Sequence, residues 1–262
     1  MRRNLLALAT CMALSAPEPA LAQGAAPPIA QPPWLLDSIE FHGDVPYADG
    51  DNPRQTLDLL VPRLQSDERL PVVVLIHGGA WLAGHKRDAL RPAQPLIESG
   101  QYAVASIGYR LSGEAQWPAQ IHDCKAAIRW LRAHADAHRL DADRIGVWGA
   151  SAGGHLAAVL GTSGDVATLE GDLGPHRDVS SRVACVVDYF GPTDFLQMNR
   201  TAIPGARLDH DSPHAPEALL VGGPIQEHRE RVATANPITY VTPDDPPFLL
   251  VHGTQDELVP VN

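Results

Sequence analysis

The chain has 262 residues, with 20 Lys and Arg against 31 Asp and Glu, a formal charge of −11 and 44% hydrophobic residues. That length and apolar content suit one large domain or two small ones with a buried core, and exclude a disordered tail. The acidic balance supplies no basic face for phosphate, so neither nucleic acid nor an anionic membrane surface is an expected partner.

Residues 1–22 read as a signal peptide. Arg2 and Arg3 form a positive start, Leu5 to Leu14 is an apolar run too short to span a bilayer, and Ala20-Leu21-Ala22 is a small-x-small cleavage site. A secreted or periplasmic location follows as an expectation, and nothing later in the chain could cross a membrane. Leu8-Ala9-Thr10-Cys11 is a poor lipoprotein signal. Residues 23–33, rich in Pro, Ala and Gln, read as a linker.

A folded domain is then expected over residues 34–262. Short strands are predicted around Ile39 and from Thr56 to Val61. Val72 to Ile76 is a continuous apolar run, the mark of a strand buried on both faces. Tyr102 to Ile107, Ile145 to Trp148, Val183 to Phe190 and Phe248 to Val251 repeat it. Pro118 opens a helical pattern through Ile121, Cys124, Ile128, Leu131 and Ala135, reaching about Ala137. Strands alternating with helices predict an α/β fold with a mostly parallel sheet. The stretches from Gly161 to Arg182 and from Phe195 to Pro216 read as polar loops.

Three motifs each follow a buried strand. Gly149-Ala150-Ser151-Ala152-Gly153-Gly154 lies between the run ending at Trp148 and a helix start at His155. A Gly-x-Ser-x-Gly string in that context lifts a serine hydroxyl clear of the sheet on a strained turn, with a helix N-terminus behind it. His77-Gly78-Gly79-Ala80-Trp81 follows Ile76, and its glycine backbone can aim N–H groups at a developing oxyanion. His77 itself reads as a structural residue. His252-Gly253-Thr254-Gln255-Asp256 follows Val251, and Asp256 is the carboxylate suited to orient an imidazole.

Together these motifs resemble the α/β-hydrolase superfamily, and within it the His-Gly-Gly carboxylesterase/lipase branch. Gly108-Tyr109-Arg110-Leu111, Trp117 to Asp123, Asp188 to Asp194 and Asn236-Pro237-Ile238 extend the resemblance to secreted feruloyl- and acetylxylan-esterase-like (BD-FAE-like) domains. The resemblance implies Ser151 as nucleophile and Asp256 as triad acid. It implies an oxyanion hole from the N–H groups of Ala152, Gly78 and Gly79, with Trp81 and Tyr109 as candidates to line the substrate. The implied reaction is hydrolysis of short-chain or aryl esters, of small molecules or carbohydrates, through an acyl-serine, with no metal or organic cofactor. An arylformamidase-type amide hydrolase and a non-catalytic form of the fold are the rival readings.

Triad order places the His after the acid, yet only six residues follow Asp256 and none is His. The expectation is a C-terminally truncated chain, lacking the triad base and the last strand and helix, and nearly inactive as it stands. His155 is expected beneath the serine turn, and His252 and His122 make poor substitutes for the base.

Other signals are weaker. His134 and His138 fall one turn apart on the predicted helix and, like His210 and His214, are expected in solvent rather than on a metal. Cys124 and Cys185 fall near opposite edges of the sheet and are expected as buried free thiols. Oligomeric state is not readable.

Overall fold

The computed structural model describes residues 31–63, 68–164 and 166–261. The predicted signal peptide, the Cys11 signal and most of the linker lie outside them. From Gln31 onward the chain forms one compact unit. Its strands are β1 (Ile39–Pro46), β2 (Thr56–Pro62), β3 (Leu70–Ile76), β4 (Ala103–Ile107), β5 (Leu140–Ala150), β6 (Cys185–Tyr189) and β7 (Phe248–Val251). The helices are α1 (Gln94–Glu98), α2 (Ala119–Ala133), α3 (Ala152–Thr162), α4 (Ala167–Glu170), α5 (Met198–Thr201), α6 (Pro216–Val221) and α7 (Arg229–Ala235).

The strands form one sheet in the order β1-β2-β4-β3-β5-β6-β7. β1 and β4 pair antiparallel with β2, while β4, β3, β5, β6 and β7 run parallel. The apolar runs make the strands they predict because both faces of the central sheet are covered. Val72, Val74 and Ile76 of β3 pack into the larger core with α2 and α3, while Leu75 packs on the other face with Leu90, Ala93 and Ile97. α3 is buried along its whole length. Among the described residues no helix is long and apolar enough to cross a membrane.

Several boundaries differ from expectation. β5 starts at Leu140, which pairs with Leu70 ahead of a register shift. α2 stops at Ala133, and His134 turns back to stack on Trp130, ring centroids 4.1 Å apart. His134 and His138 therefore do not share a solvated helix face: both lie in the turn past α2, half-buried against Trp130. The stretches read as loops contain the short helices α4 and α5.

α4 is tied to α2 by charge. Glu170 accepts from Lys125 Nζ at 2.5 Å and from Arg129 at 3.1 Å, and both cations are buried. Lys125 Nζ also donates to the Ser163 carbonyl at 2.6 Å.

Cys124 is buried, but Cys185 is exposed; both are free. The correction for Cys185 has a simple cause. Val186 and Asp188 of β6 point toward α3, so Cys185 points to the opposite face, where helical cover is thinner. At the sheet edge, Leu249 and Leu250 of β7 are exposed, one on each face.

Candidate active site

Ser151 stands between β5 and α3 with φ 56° and ψ −126°. A side-chain-bearing residue there stores about 1–3 kcal/mol of backbone strain. The surrounding structure holds it: Ser151 N–H donates to the Tyr189 carbonyl at 2.8 Å, and the Ser151 carbonyl accepts from His155 N–H at 3.0 Å. Small residues make the turn possible. A Cβ on Gly153 would lie 2.1 Å from the Ile76 carbonyl oxygen, so α3 could not approach β3.

The loop after β3 comes against this turn. A Cβ on Gly78 would lie 2.8 Å from the Ala150 carbonyl oxygen and 3.4 Å from Ser151 Cβ. Gly79, Ala80 and Trp81 all have positive φ, at 114°, 55° and 56°. The Gly79 carbonyl accepts from the N–H groups of Leu82 and Ala83, both at 3.0 Å. No described residue accepts from the N–H groups of Gly78 and Gly79.

A cavity of about 140 Å³ opens at Ser151, bounded among others by Ala80, Trp81, Ala152, His210, Glu217 and Leu258. Trp81 lines this cavity. Tyr109 does not: it is fully buried, its hydroxyl donates to the His77 carbonyl at 2.8 Å, and its ring stacks on His77 at 4.3 Å. It supports the glycine loop from behind. Asp256 sits in the loop after β7, where its Oδ1 accepts from the N–H groups of Leu258 and Val259 at 2.8 and 2.9 Å. That clasp brings Leu258 and Val259 to the cavity wall.

Sequence reasoning missed His210 and Glu217. His210 is not in solvent; it is 2% exposed and part of the cavity wall beside Ser151. No motif could have placed it, because it reaches the site from an irregular segment.

The other histidines are engaged elsewhere. His155 is wholly buried beneath the serine turn, its Nε2 meets the Ala235 carbonyl at 2.7 Å, and Trp81 packs edge-on to it at 5.1 Å. His77 Nδ1 donates to the Gly78 carbonyl at 2.7 Å. His252 Nε2 meets the Val259 carbonyl at 2.8 Å and lies 3.7 Å from Asp256. His122 Nε2 faces the Thr168 carbonyl, away from the cavity. Among the described residues no group of three or more His, Cys, Asp or Glu side chains is arranged to hold a metal ion.

Burial lowers the pKa of His77 and of His155 to about 4, so both are neutral near pH 7. Burial raises Asp188, whose Oδ1 accepts from Gly191 N–H at 2.8 Å, to about 6. As pH falls from about 6.5 to 4, the unfolded chain binds two histidine protons that the fold refuses, which destabilises the fold. Between about 6 and 4 the folded Asp188 holds a proton that the unfolded carboxylate lacks, which opposes the loss. The net is one to two protons across the window, so stability should fall by about 3 kcal/mol between pH 6.5 and 4. Urea midpoints at pH 7, 5.5 and 4 measure this; a midpoint that holds or rises on acidification contradicts it.

The sequence profile of the BD-FAE family matches residues 57–262. Esterase LipC of Mycobacterium tuberculosis is 33% identical over 212 residues, covering 81% of this chain and 51% of LipC. The chain spans about half the length of the curated relatives it matches. Among solved structures, a truncated carbohydrate esterase from gut microbiota superposes with TM-score 0.77 at 34% identity, covering 86% of this chain and 81% of that one. A bifunctional GH43-CE protein of Bacteroides eggerthii gives TM-score 0.76 at 37% identity, covering 86% of this chain and 29% of that one. With the mostly parallel sheet, these neighbours make the fold an α/β-hydrolase fold.

Proposed function

Because the chain belongs to the BD-FAE family, and because Ser151 stands strained at a strand-to-helix junction, we propose that the protein is a carboxylic ester hydrolase with Ser151 as its nucleophile. The observation that carries the reading is the backbone of Ser151, held at φ 56° over a cavity by a neighbouring glycine loop. Strain kept at one serine beside a cavity is the signature of a residue positioned for chemistry.

In this reading Ser151 Oγ attacks the acyl carbon as a base takes its proton. The carbonyl oxygen becomes an oxyanion and accepts hydrogen bonds from the N–H groups of Gly78, Gly79 and Ala152. The positive end of α3 adds to that stabilisation. Collapse expels the alcohol and leaves an acyl-serine, and water then releases the acid. Asp256 serves as the acid that orients the catalytic imidazole. His77, His122, His155 and His252 each hold a backbone carbonyl with one ring nitrogen, which counts against them as that imidazole.

Short-chain or aryl esters of carbohydrates are the substrate class, supported by the carbohydrate esterase among the structural neighbours. Export through residues 1–22 belongs to the same reading, resting on the charged start, apolar run and cleavage site in the sequence.

The test uses the protein expressed from its complete gene. It should take up a fluorophosphonate at Ser151 and hydrolyse p-nitrophenyl acetate faster than an aryl formamide, and Ser151→Ala should do neither. Labelling that persists in the variant, or a preference for the formamide, overturns the reading.

A further inference from the structure

The glycine loop that faces Ser151, residues 77–84, is held in shape from outside itself. Tyr109 Oη donates to the His77 carbonyl at 2.8 Å, Ser112 N–H donates to the Trp81 carbonyl at 2.8 Å, and Arg54 Nη1 donates to the Gly84 carbonyl at 3.0 Å. The two ends of the loop also meet. A Cβ on Gly84, whose φ is 100°, would lie 2.5 Å from the Gly78 carbonyl oxygen and 2.6 Å from His77 Nδ1. The Gly78 carbonyl and the Gly79 N–H share one rigid peptide plane, so a shift of Gly84 tilts that donor.

Two of the three braces, Tyr109 and Ser112, belong to the turn at residues 109–114. One carboxylate joins the third to that turn. Glu114 Oε2 accepts from Arg54 Nε at 2.8 Å and from Leu111 N–H at 3.0 Å, and Glu114 N–H donates to the Leu111 carbonyl at 2.8 Å. Arg54 therefore spans two acceptors, Glu114 and Gly84, with one planar fork of donors.

The pair is partly open to water, with side chains 31% and 38% exposed. Ion pairs so placed contribute little to stability. Geometry at a reacting centre is far less forgiving: a misplacement of about 1 Å costs about 10²-fold in rate. The loop's aim thus depends on this pair more than the fold does.

We infer that Arg54 and Glu114 are positioning residues for the oxyanion hole: their ion pair locks the 109–114 turn to the Gly84 end of the glycine loop and so fixes the direction of the Gly78 and Gly79 N–H groups. Neither side chain borders the cavity at Ser151. The inference rests on the ester-hydrolase reading above, in which those N–H groups hold the oxyanion.

The test uses p-nitrophenyl acetate and the protein expressed from its complete gene. Arg54→Met should lower kcat about 10–100-fold with KM changed less than about 2-fold, because the oxyanion forms only on the way to the transition state. Glu114→Gln keeps the shape and loses the charge, and should lower kcat about 10-fold. Arg54→Lys reaches only one of the two acceptors and should fall between wild type and Arg54→Met. The Tm of each variant should drop by no more than about 4 °C, as for an exposed pair. Raising NaCl from about 0.05 to about 1 M screens the pair, so wild-type kcat should fall about 2–3-fold while that of Arg54→Met stays level. A loss carried by KM overturns the inference, as does a salt response shared by wild type and Arg54→Met. A larger fall in Tm overturns it too, since the pair then holds the fold and not the loop. If the wild type hydrolyses no ester, the ester-hydrolase reading falls and takes the inference with it; if the wild type is active and the variants match it, only the present inference falls.

Discussion

Ser151→Ala should lower kcat toward esters by about 10⁶-fold, the loss seen when a serine hydrolase gives up its nucleophile. Oxyanion donors and the cavity remain, so a residue of roughly 10³–10⁴-fold acceleration over water can persist. Ser151→Gly is the more informative variant. It should lose activity as completely as the alanine, yet gain stability, because glycine adopts φ 56° and ψ −126° without the strain that serine bears there. Relief of about 1–3 kcal/mol, less the greater conformational freedom of glycine in the unfolded chain, leaves about 1 kcal/mol, or a rise in Tm of about 2–4 °C. Calorimetry on wild type, Ser151→Ala and Ser151→Gly separates the two effects. A glycine variant that melts at or below the wild-type temperature shows that the serine is not held under strain.

Glu170→Gln should be strongly destabilising, costing about 3 kcal/mol, the low end for a broken buried pair because Glu170 is itself 31% exposed. Glu170 meets Lys125 and Arg129, the first wholly buried and the second nearly so, in the packing of α4 on α2. The change removes the Glu170 charge from beside two buried cations, although Lys125 keeps the Ser163 carbonyl and Arg129 keeps the carbonyls of Glu170 and Leu173. The same physics predicts a rescue. Replacing Lys125 and Arg129 with Met and Leu together with Glu170→Gln removes the stranded charges and should restore most of the loss. Denaturant titration of the single and triple variants decides it. A triple variant no more stable than the single one means that packing of the long side chains, not charge, holds α4 in place.

Much of the sheet was legible because central parallel strands are covered on both faces and so appear as unbroken apolar runs. Val72–Ile76 and Tyr102–Ile107 are of this kind, and the strands follow them closely. Ser151 was legible for a different reason. A strained turn between a strand and a helix tolerates few residues, and Gly149 and Gly153 record its close contacts. What the sequence hid depends on neighbours it cannot specify. Cys185 is apolar in type and sits in a good strand, but whether it is covered depends on what packs against that face of β6. His210 and Glu217 lie in an irregular segment and a six-residue helix, with no periodicity, and meet only because the chain folds back over the serine turn. Tyr109 shows the converse: its motif was recognised, but its role is to brace His77 rather than to touch a substrate.

The two halves of the cavity wall have different origins in the chain. Ser151 and the Gly78-Gly79 loop are fixed by the ends of β5 and β3 in the middle of the sheet, where a single added methyl group would collide with backbone. Leu208, His210, Pro216 and Glu217 hang from a segment that contributes no strand. Ser151 is thus frozen by the scaffold, while the wall built from residues 208–217 is free to drift. A line of descendants could change what the cavity admits through substitutions confined to residues 207–217, with the serine turn left intact, and a laboratory library over that same stretch would retrace the divergence.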